Sequence, residues 1–213
     1  MAWSTATIAD AVADGLQQRA ADDDLEQAVY GFDYLDELGH HPIIHQSLRD
    51  AGFGVLPEQR YPDDWSRRKR SEGKRCDVVL TFDDLPLRDP QVKDTLFDDN
   101  HAVDAEEAYW LEIKTVAQFE TGGPFRGYSG ELLSTVAADL KKLWSDSCIF
   151  HAGLLVVLFT AGQDIATHDL RAWHDKCLER GYPVMPPSVR GFRITDRIGN
   201  GWCAIAVFGV RGG

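Results

Sequence analysis

Apolar residues over positions 5–35 recur with helical rather than alternating spacing, which predicts a helical start without a strand and has Asp22, Asp23 and Asp24 opening a second helix. The stretch HPIIHQSLRDAG reads as a further helix: Pro42 suits a first turn, Ile43, Ile44 and Leu48 supply an apolar face, and Gly52 suits the stop. The pattern then becomes extended. Positions 52–61 read as one strand ending before Pro62, and 75–82 (RCDVVLTF) as a second, rich in β-branched and aromatic residues. A third strand, 108–116 (AYWLEIKTV), follows an acidic stretch, 83–107, that interrupts the turn between them; a connection of that length is uncommon unless it has a function.

Beyond the glycine-rich GGPFRGYSG, a helix over 130–146 places Leu132, Leu133, Val136, Leu140, Leu143 and Trp144 on one face. Positions 153–160 (GLLVVLFT) are apolar throughout, as expected of a strand covered on both sides. A helix over 167–179 closes at Gly181, Pro183, Pro186 and Pro187 mark a loop, and 192–210 reads as two strands around Gly199, Asn200 and Gly201. Together these elements predict an α/β domain with a central mixed β-sheet flanked by helices and with extra N-terminal helices.

A chain of 213 residues with 44% hydrophobic content has material for one core, so 1–213 is expected to be a single domain, with 1–36 as an N-terminal helical extension and 83–107 as an acidic insertion. No apolar run approaches the roughly 18 residues of a membrane span, and the N-terminus lacks the basic start of a signal peptide, so a cytoplasmic protein with no membrane partner is expected. Cys76, Cys148, Cys177 and Cys203 are far apart with no CxxC pair, which suits buried free thiols. The net charge of -12 argues against a nucleic-acid partner until its distribution is considered. Residues 1–30 carry -5 and residues 83–107 carry -7, so the rest of the chain is balanced. It holds a local basic cluster, Arg67, Arg68, Lys69, Arg70, Lys74 and Arg75, suited to phosphates as well as to a solvated loop.

Side chains alternate along a strand, so Trp110, Glu112 and Lys114 share one face of the third strand, with Leu111 and Ile113 on the other. Asp77 stands between Cys76 and Val78 inside an otherwise apolar strand. Charges in buried strands are costly unless paired or bound to a metal. Mg2+ and Mn2+ favour oxygen ligands, and Asp77, Glu112 and the carbonyl of Ile113 form a suitable partial set. Lys114, one pleat along, is placed to orient or deprotonate an attacking water and to stabilise phosphate charge. The competing reading pairs Asp77 and Glu112 with Lys114 and Arg75 at a sheet edge.

An Asp followed by Glu-x-Lys on consecutive strands resembles the PD-(D/E)XK nuclease superfamily, or restriction-endonuclease-like fold, over residues 37–160. In that fold a helix carrying a glutamate precedes the motif strands, and a helix and a buried strand follow them. The resemblance implies Mg2+- or Mn2+-dependent endo- or exonucleolytic cleavage of nucleic acid, with DNA favoured. Asp77 and Glu112 would be ligands, Lys114 the catalytic lysine and Glu37 an auxiliary ligand, with Glu26 as the alternative to Glu37. Dimers are common among enzymes that cut both strands, so a homodimer is open. Cys76 occupies the position of the family's proline, and the acidic insertion lengthens the spacing from Asp77 to Glu112.

Lys141 or Lys142, on the helix after the motif, is placed to touch substrate. His41 and His45, at i and i+4, suit a zinc ion, but without a HExxH glutamate a surface or capping role is the expectation. Trp110 is expected in the core rather than stacked on a base. A second functional class stays open: a nuclease-like domain turned binding or regulatory module, its acidic insertion facing a protein partner. Nine acids in 83–107 would repel DNA near a cleft, so the segment either points away or inhibits. Deleting it and measuring cleavage distinguishes the two: a faster or tighter-binding variant supports inhibition, and an unchanged rate and affinity support a segment that points away.

Overall fold

The computed structural model describes residues 2–28, 30–65, 73–89, 95–96, 99, 101–195 and 199–211. Helix α1 (Thr5–Leu25) is capped by the Ser4 hydroxyl, which accepts the Thr7 N–H. It is one uninterrupted helix, and Asp22–Asp24 close it rather than open another. The buried Asp23 carboxylate explains the reversal, because it accepts the Phe32 N–H at 2.6 Å and pairs with Arg19 at 2.9 Å, tying the helix end to the following turn. Helix α2 (Glu37–Asp50) begins where Asp36 accepts the Gly39 N–H at 2.7 Å, so Pro42 lies inside the helix and not in its first turn. The side-chain cap at Asp36, six residues before Pro42, sets the boundary. Gly52, at φ 89°, supplies the left-handed stop.

Strands β1 (Phe53–Arg60) and β2 (Arg75–Phe82) pair antiparallel, and β2 pairs antiparallel with β3 (Tyr109–Ala117). A two-stranded hairpin, β4 (Phe119–Glu120) and β5 (Gly123–Pro124), follows. A helical run then opens as one turn, α3 (Tyr128–Gly130), passes through a π-helical stretch (Glu131–Thr135) and continues as α4 (Val136–Ser145). Strand β6 (His151–Thr160) runs parallel to β3, α5 (Gln163–Glu179) follows, and the antiparallel β7 (Ser188–Arg193) and β8 (Trp202–Arg211) complete a mixed six-stranded sheet in the order β1-β2-β3-β6-β8-β7.

Both faces of the sheet are covered, giving a three-layer α/β arrangement. On one face Leu154, Val156 and Leu158 of β6 pack beneath Leu140, Leu143, Leu170 and Trp173 of α4 and α5. On the other, Leu155, Val157 and Phe159 meet Ile8, Val12 and Leu16 of α1 and Ile44 and Leu48 of α2. The unbroken apolar run of β6 is thus the sequence of a strand buried on two sides. The N-terminal helix is an integral part of one layer, since Ile8, Val12 and Leu16 have no exposed surface. Trp144, expected on the apolar face of its helix, lies on the exposed side, 36% accessible. Among the described residues no helix is long and apolar enough to cross a membrane. All four cysteines are free, three of them buried and Cys148 half-buried.

The acidic insertion leaves from the Phe82–Tyr109 end of the β2–β3 pair. Its base is anchored by a Leu87–Val103 bridge, an Arg88–Asp104 ion pair at 2.9 Å, and Trp3, whose indole N–H donates to the Glu107 carbonyl at 2.8 Å. Helices α1 and α2 approach closely at Gly15, where an added Cβ would sit 1.7 Å from the Ser47 Oγ and 2.6 Å from its Cβ. Gly15→Ala should therefore lower stability by about 1–3 kcal/mol through overpacking, despite the helix preference for alanine. Urea denaturation of the two proteins measures it; an unchanged or raised midpoint would show that the helices separate without cost.

Candidate functional site

Strand β2 leaves β3 at Asp77. Val78 pairs with Leu111, Val79 with Trp110 and Leu80 with Tyr109, but no pair forms beyond Val78 toward the chain start. On the other side of β2, the ladder to β1 skips the Glu58–Asp77 position, where Glu58 takes the left-handed φ of 54°. Such a conformation is strained for a residue with a side chain and turns the strand locally. Cys76 consequently joins the opposite core layer from Val78, although regular alternation would put them on one face.

The parting exposes a backbone edge of β3, and side chains satisfy it. Asp77 Oδ2 accepts the Ile113 N–H at 2.7 Å, Glu37 Oε2 accepts the Thr115 N–H at 3.4 Å, and the Cys76 thiol donates to the Leu111 carbonyl at 3.4 Å. The N–H and C=O of a strand residue point to the same side, so the Ile113 carbonyl faces the same gap as Asp77. Without such partners, each buried backbone group would cost about 1–3 kcal/mol.

Glu112 projects from β3 into the layer of α4 and is 2% exposed. Tyr61, at the end of β1, donates its hydroxyl to Glu112 Oε1, and Lys142 Nζ lies 3.7 Å from the same oxygen. Burial pushes the Glu112 carboxyl well above the usual range, and the charge of Asp77 and a hydrogen-bonding contact with it push in the same direction; Lys142 and Tyr61 oppose them. Two carboxyls are thus held against each other with less positive charge than they need.

Lys114 contacts Glu37 at 2.9 Å. Burial pulls its ammonium down, but the hydrogen bond and charge of Glu37, together with Asp139 and Glu131, outweigh it and hold Lys114 above its ordinary value. Lys114 is thereby favoured as a cation. Lys142 is likewise held protonated: burial opposes its charge, while Glu112, Asp139 (2.6 Å) and Asp77 favour it. The pairing of Asp77 and Glu112 with Lys114 and Arg75 is not what forms, since Lys114 turns to Glu37 and Arg75 donates to the Glu58 carbonyl at 2.7 Å. A cavity of about 360 Å3 opens beside Lys114, walled in part by Leu35, Glu37, Phe125 and Glu131.

Glu37, the first residue of α2, reaches the site, whereas Glu26 is exposed beyond α1. Lys142, rather than Lys141, approaches the acids, and Lys141 faces solvent because one residue turns a helix by about 100°. Arg67, Arg68, Lys69 and Arg70 lie outside the described residues; Lys74 and Arg75 are exposed. His41 and His45 are buried, against the expectation of a surface role. Trp110 is also buried, stacked on Tyr61 at 5.8 Å with its N–H on the Ala105 carbonyl, and is inaccessible to a base. Sequence reading missed Tyr61 and Asp139. A tyrosine at a strand end and an acid on a helix carry no local signal of a partner 51 residues away, as Glu112 is from Tyr61.

Among the described residues, no group of three or more histidine, cysteine or acidic side chains is preassembled as a cage for an ion. The donor set of the gap is instead two carboxyls and a carbonyl, which suits a hard cation that keeps several waters. Compared with known proteins, the chain matches no family model, no curated protein and no solved structure.

The raised Glu112 carboxyl sets a pH dependence. The folded protein keeps a proton that the unfolded chain releases in the ordinary carboxylate range, so this contribution is complete at low pH and is lost as pH rises toward the folded titration. Metal-free wild type should show a urea midpoint that falls from pH 5 to 8. Glu112→Gln should flatten that slope and exceed wild type at pH 8; parallel slopes would mean that Glu112 is ionised in the fold.

Proposed function

We propose that the chain is a divalent-metal-dependent nuclease of the PD-(D/E)XK type, hydrolysing phosphodiester bonds in nucleic acid, with DNA the favoured substrate. The observation that carries this reading is the Asp77–Glu112 pair, a buried acid against a half-buried one at the point where two strands part, with a backbone carbonyl facing the same gap. Placing two carboxyls together makes it costly to ionise both, and a small divalent cation is the simplest partner that relieves that cost. The order α2, β1, β2, β3, α4, β6 supports a restriction-endonuclease-like assignment within the mixed α/β sheet.

Asp77, Glu112 and the Ile113 carbonyl would hold Mg2+ or Mn2+. When bound, that ion supplies Lewis acidity toward a phosphoryl oxygen and lowers the pKa of water. The chain's own residues do the rest. Tyr61 fixes the Glu112 carboxyl by its hydroxyl, so the acid is oriented before a ligand arrives. Lys114, kept as an ammonium by Glu37, provides a fixed positive charge at the mouth of the gap for the charge that grows on a phosphate. Lys142 provides a second cation on the α4 side, held by Asp139. The acidic insertion is rooted five residues along β2 from Asp77, about 16 Å away, which agrees with a segment that points away from the gap.

The test is cleavage of single- and double-stranded DNA and RNA with several divalent ions, using Glu112→Gln and Lys114→Ala as controls. Each substitution should lower the metal-dependent rate by about 100-fold or more while circular dichroism stays native. Wild-type cleavage in both variants would remove this site from the chemistry. A second reading is a binding or regulatory module, with the acidic insertion rooted at the Leu87–Val103 bridge offering a charged surface to a protein partner. Calorimetry separates the two: a nuclease binds Mg2+ or Mn2+ in a manner that Asp77→Asn abolishes, whereas a module without a cation site gives no heat.

A further inference from the structure

The α2 face that carries Glu37 continues through His41 and His45, each one helical turn further on. Glu37 meets Lys114 and the Thr115 N–H at one end, and His45 lies within the electrostatic reach of Asp77 at the other. The stripe therefore runs along the β3 edge that the departure of β2 leaves open. His41 and His45 are 8% and 9% exposed, and the Nε2 atom of each has no hydrogen-bond partner among the described residues. The Nε2 of their neighbour His40 also lacks a partner, but its Nδ1 contacts the Asp36 carbonyl at 2.8 Å and its ring packs on Phe159, so it belongs to the core.

Buried imidazole nitrogens ordinarily find a partner. Two that do not, on adjacent turns and with ring centroids 5.5 Å apart, have the spacing of a shared ion. A tetrahedral metal about 2.1 Å from each nitrogen separates two ring centres by about 5 Å.

We propose that His41 and His45 are nitrogen ligands for a divalent transition-metal ion held beside Asp77, so that the chain takes ions of the Mn2+, Co2+ and Zn2+ class in preference to Mg2+. Imidazole adds little for the hard Mg2+ and much for the later transition metals, so the histidines set the choice of ion while the acids supply charge. The proposal rests on the reading of Asp77 as part of a cation site, and it extends that site from two strands to the helix packed beneath them.

Two measurements test it on the full chain. Long-range 1H–15N spectra of wild type titrated with Zn2+ should show the signals of two of the seven histidines shifting at one equivalent; no shift, or shifts only in other histidines, overturns the proposal without any variant having to fold. Calorimetric titration with Co2+ of wild type, His41→Gln and His45→Gln should show affinity falling more than about 10-fold in each variant, since disturbing even an outer-shell partner of a ligand has that effect. The Mg2+ isotherm should not change. Equal Co2+ affinity in all three proteins overturns the proposal. If Glu112→Gln abolishes cleavage while Co2+ affinity is untouched by either histidine change, the nuclease reading stands and the histidine site falls. If no ion supports cleavage but the two histidine signals still move, the reverse holds.

Discussion

A β-strand edge buried in a protein must find partners for its N–H and C=O groups, and in this fold that requirement is met by side chains where β2 turns away from β3. Asp77, Glu37 and Cys76 each bond to the β3 backbone at a point where a neighbouring strand would otherwise have done so. These bonds do two things together. They make the parting of the strands tolerable, and they draw acids from β2 and from the start of α2 to one stretch of β3 that itself carries Glu112 and Lys114.

The resulting electrostatics explain why the site is polarised. Glu112 sits where water cannot solvate it, against a second carboxyl, and among the described residues a tyrosine hydroxyl and a lysine at 3.7 Å relieve it. The lysines are in the opposite situation, each embraced by acids that hold the proton. Under the proposed reading, a gap with excess acid at its centre and fixed ammonium groups at its rim would take a cation and an anionic oxygen together, the pairing that phosphodiester chemistry presents. The overall charge of -12 does not conflict with this reading, because the acidic insertion is rooted at the far end of the β2–β3 pair.

Strands proved legible where burial and periodicity agree. The motif strand 75–82 has the observed bounds of β2, and the unbroken apolar run of β6 follows from cover on both faces. Legibility failed where a distant group decides. Asp22–Asp24 look like a helix start, but Asp23 is consumed by the Phe32 N–H and so marks an end. Pro42 suggests a first turn until the Asp36 cap places it inside α2. The histidines, polar by type, are buried because their helix lies against the β1 and β3 strands, which no local pattern reveals.

The sequence by itself determined the types and local order of the acting groups: an acid on one strand, Glu-x-Lys on the next, alternation that sets Glu112 and Lys114 one pleat apart, and a glutamate ahead of a helix. These follow from chemistry carried by neighbours a few residues apart. Only the tertiary structure decided that the strands part at Asp77, that Tyr61 and Lys142 rather than Arg75 attend the acids, that Glu37 rather than Glu26 arrives, and that His41 and His45 are buried. Each of those outcomes depends on which backbone groups packing leaves unpaired, a property of the assembled sheet that no short stretch of sequence contains.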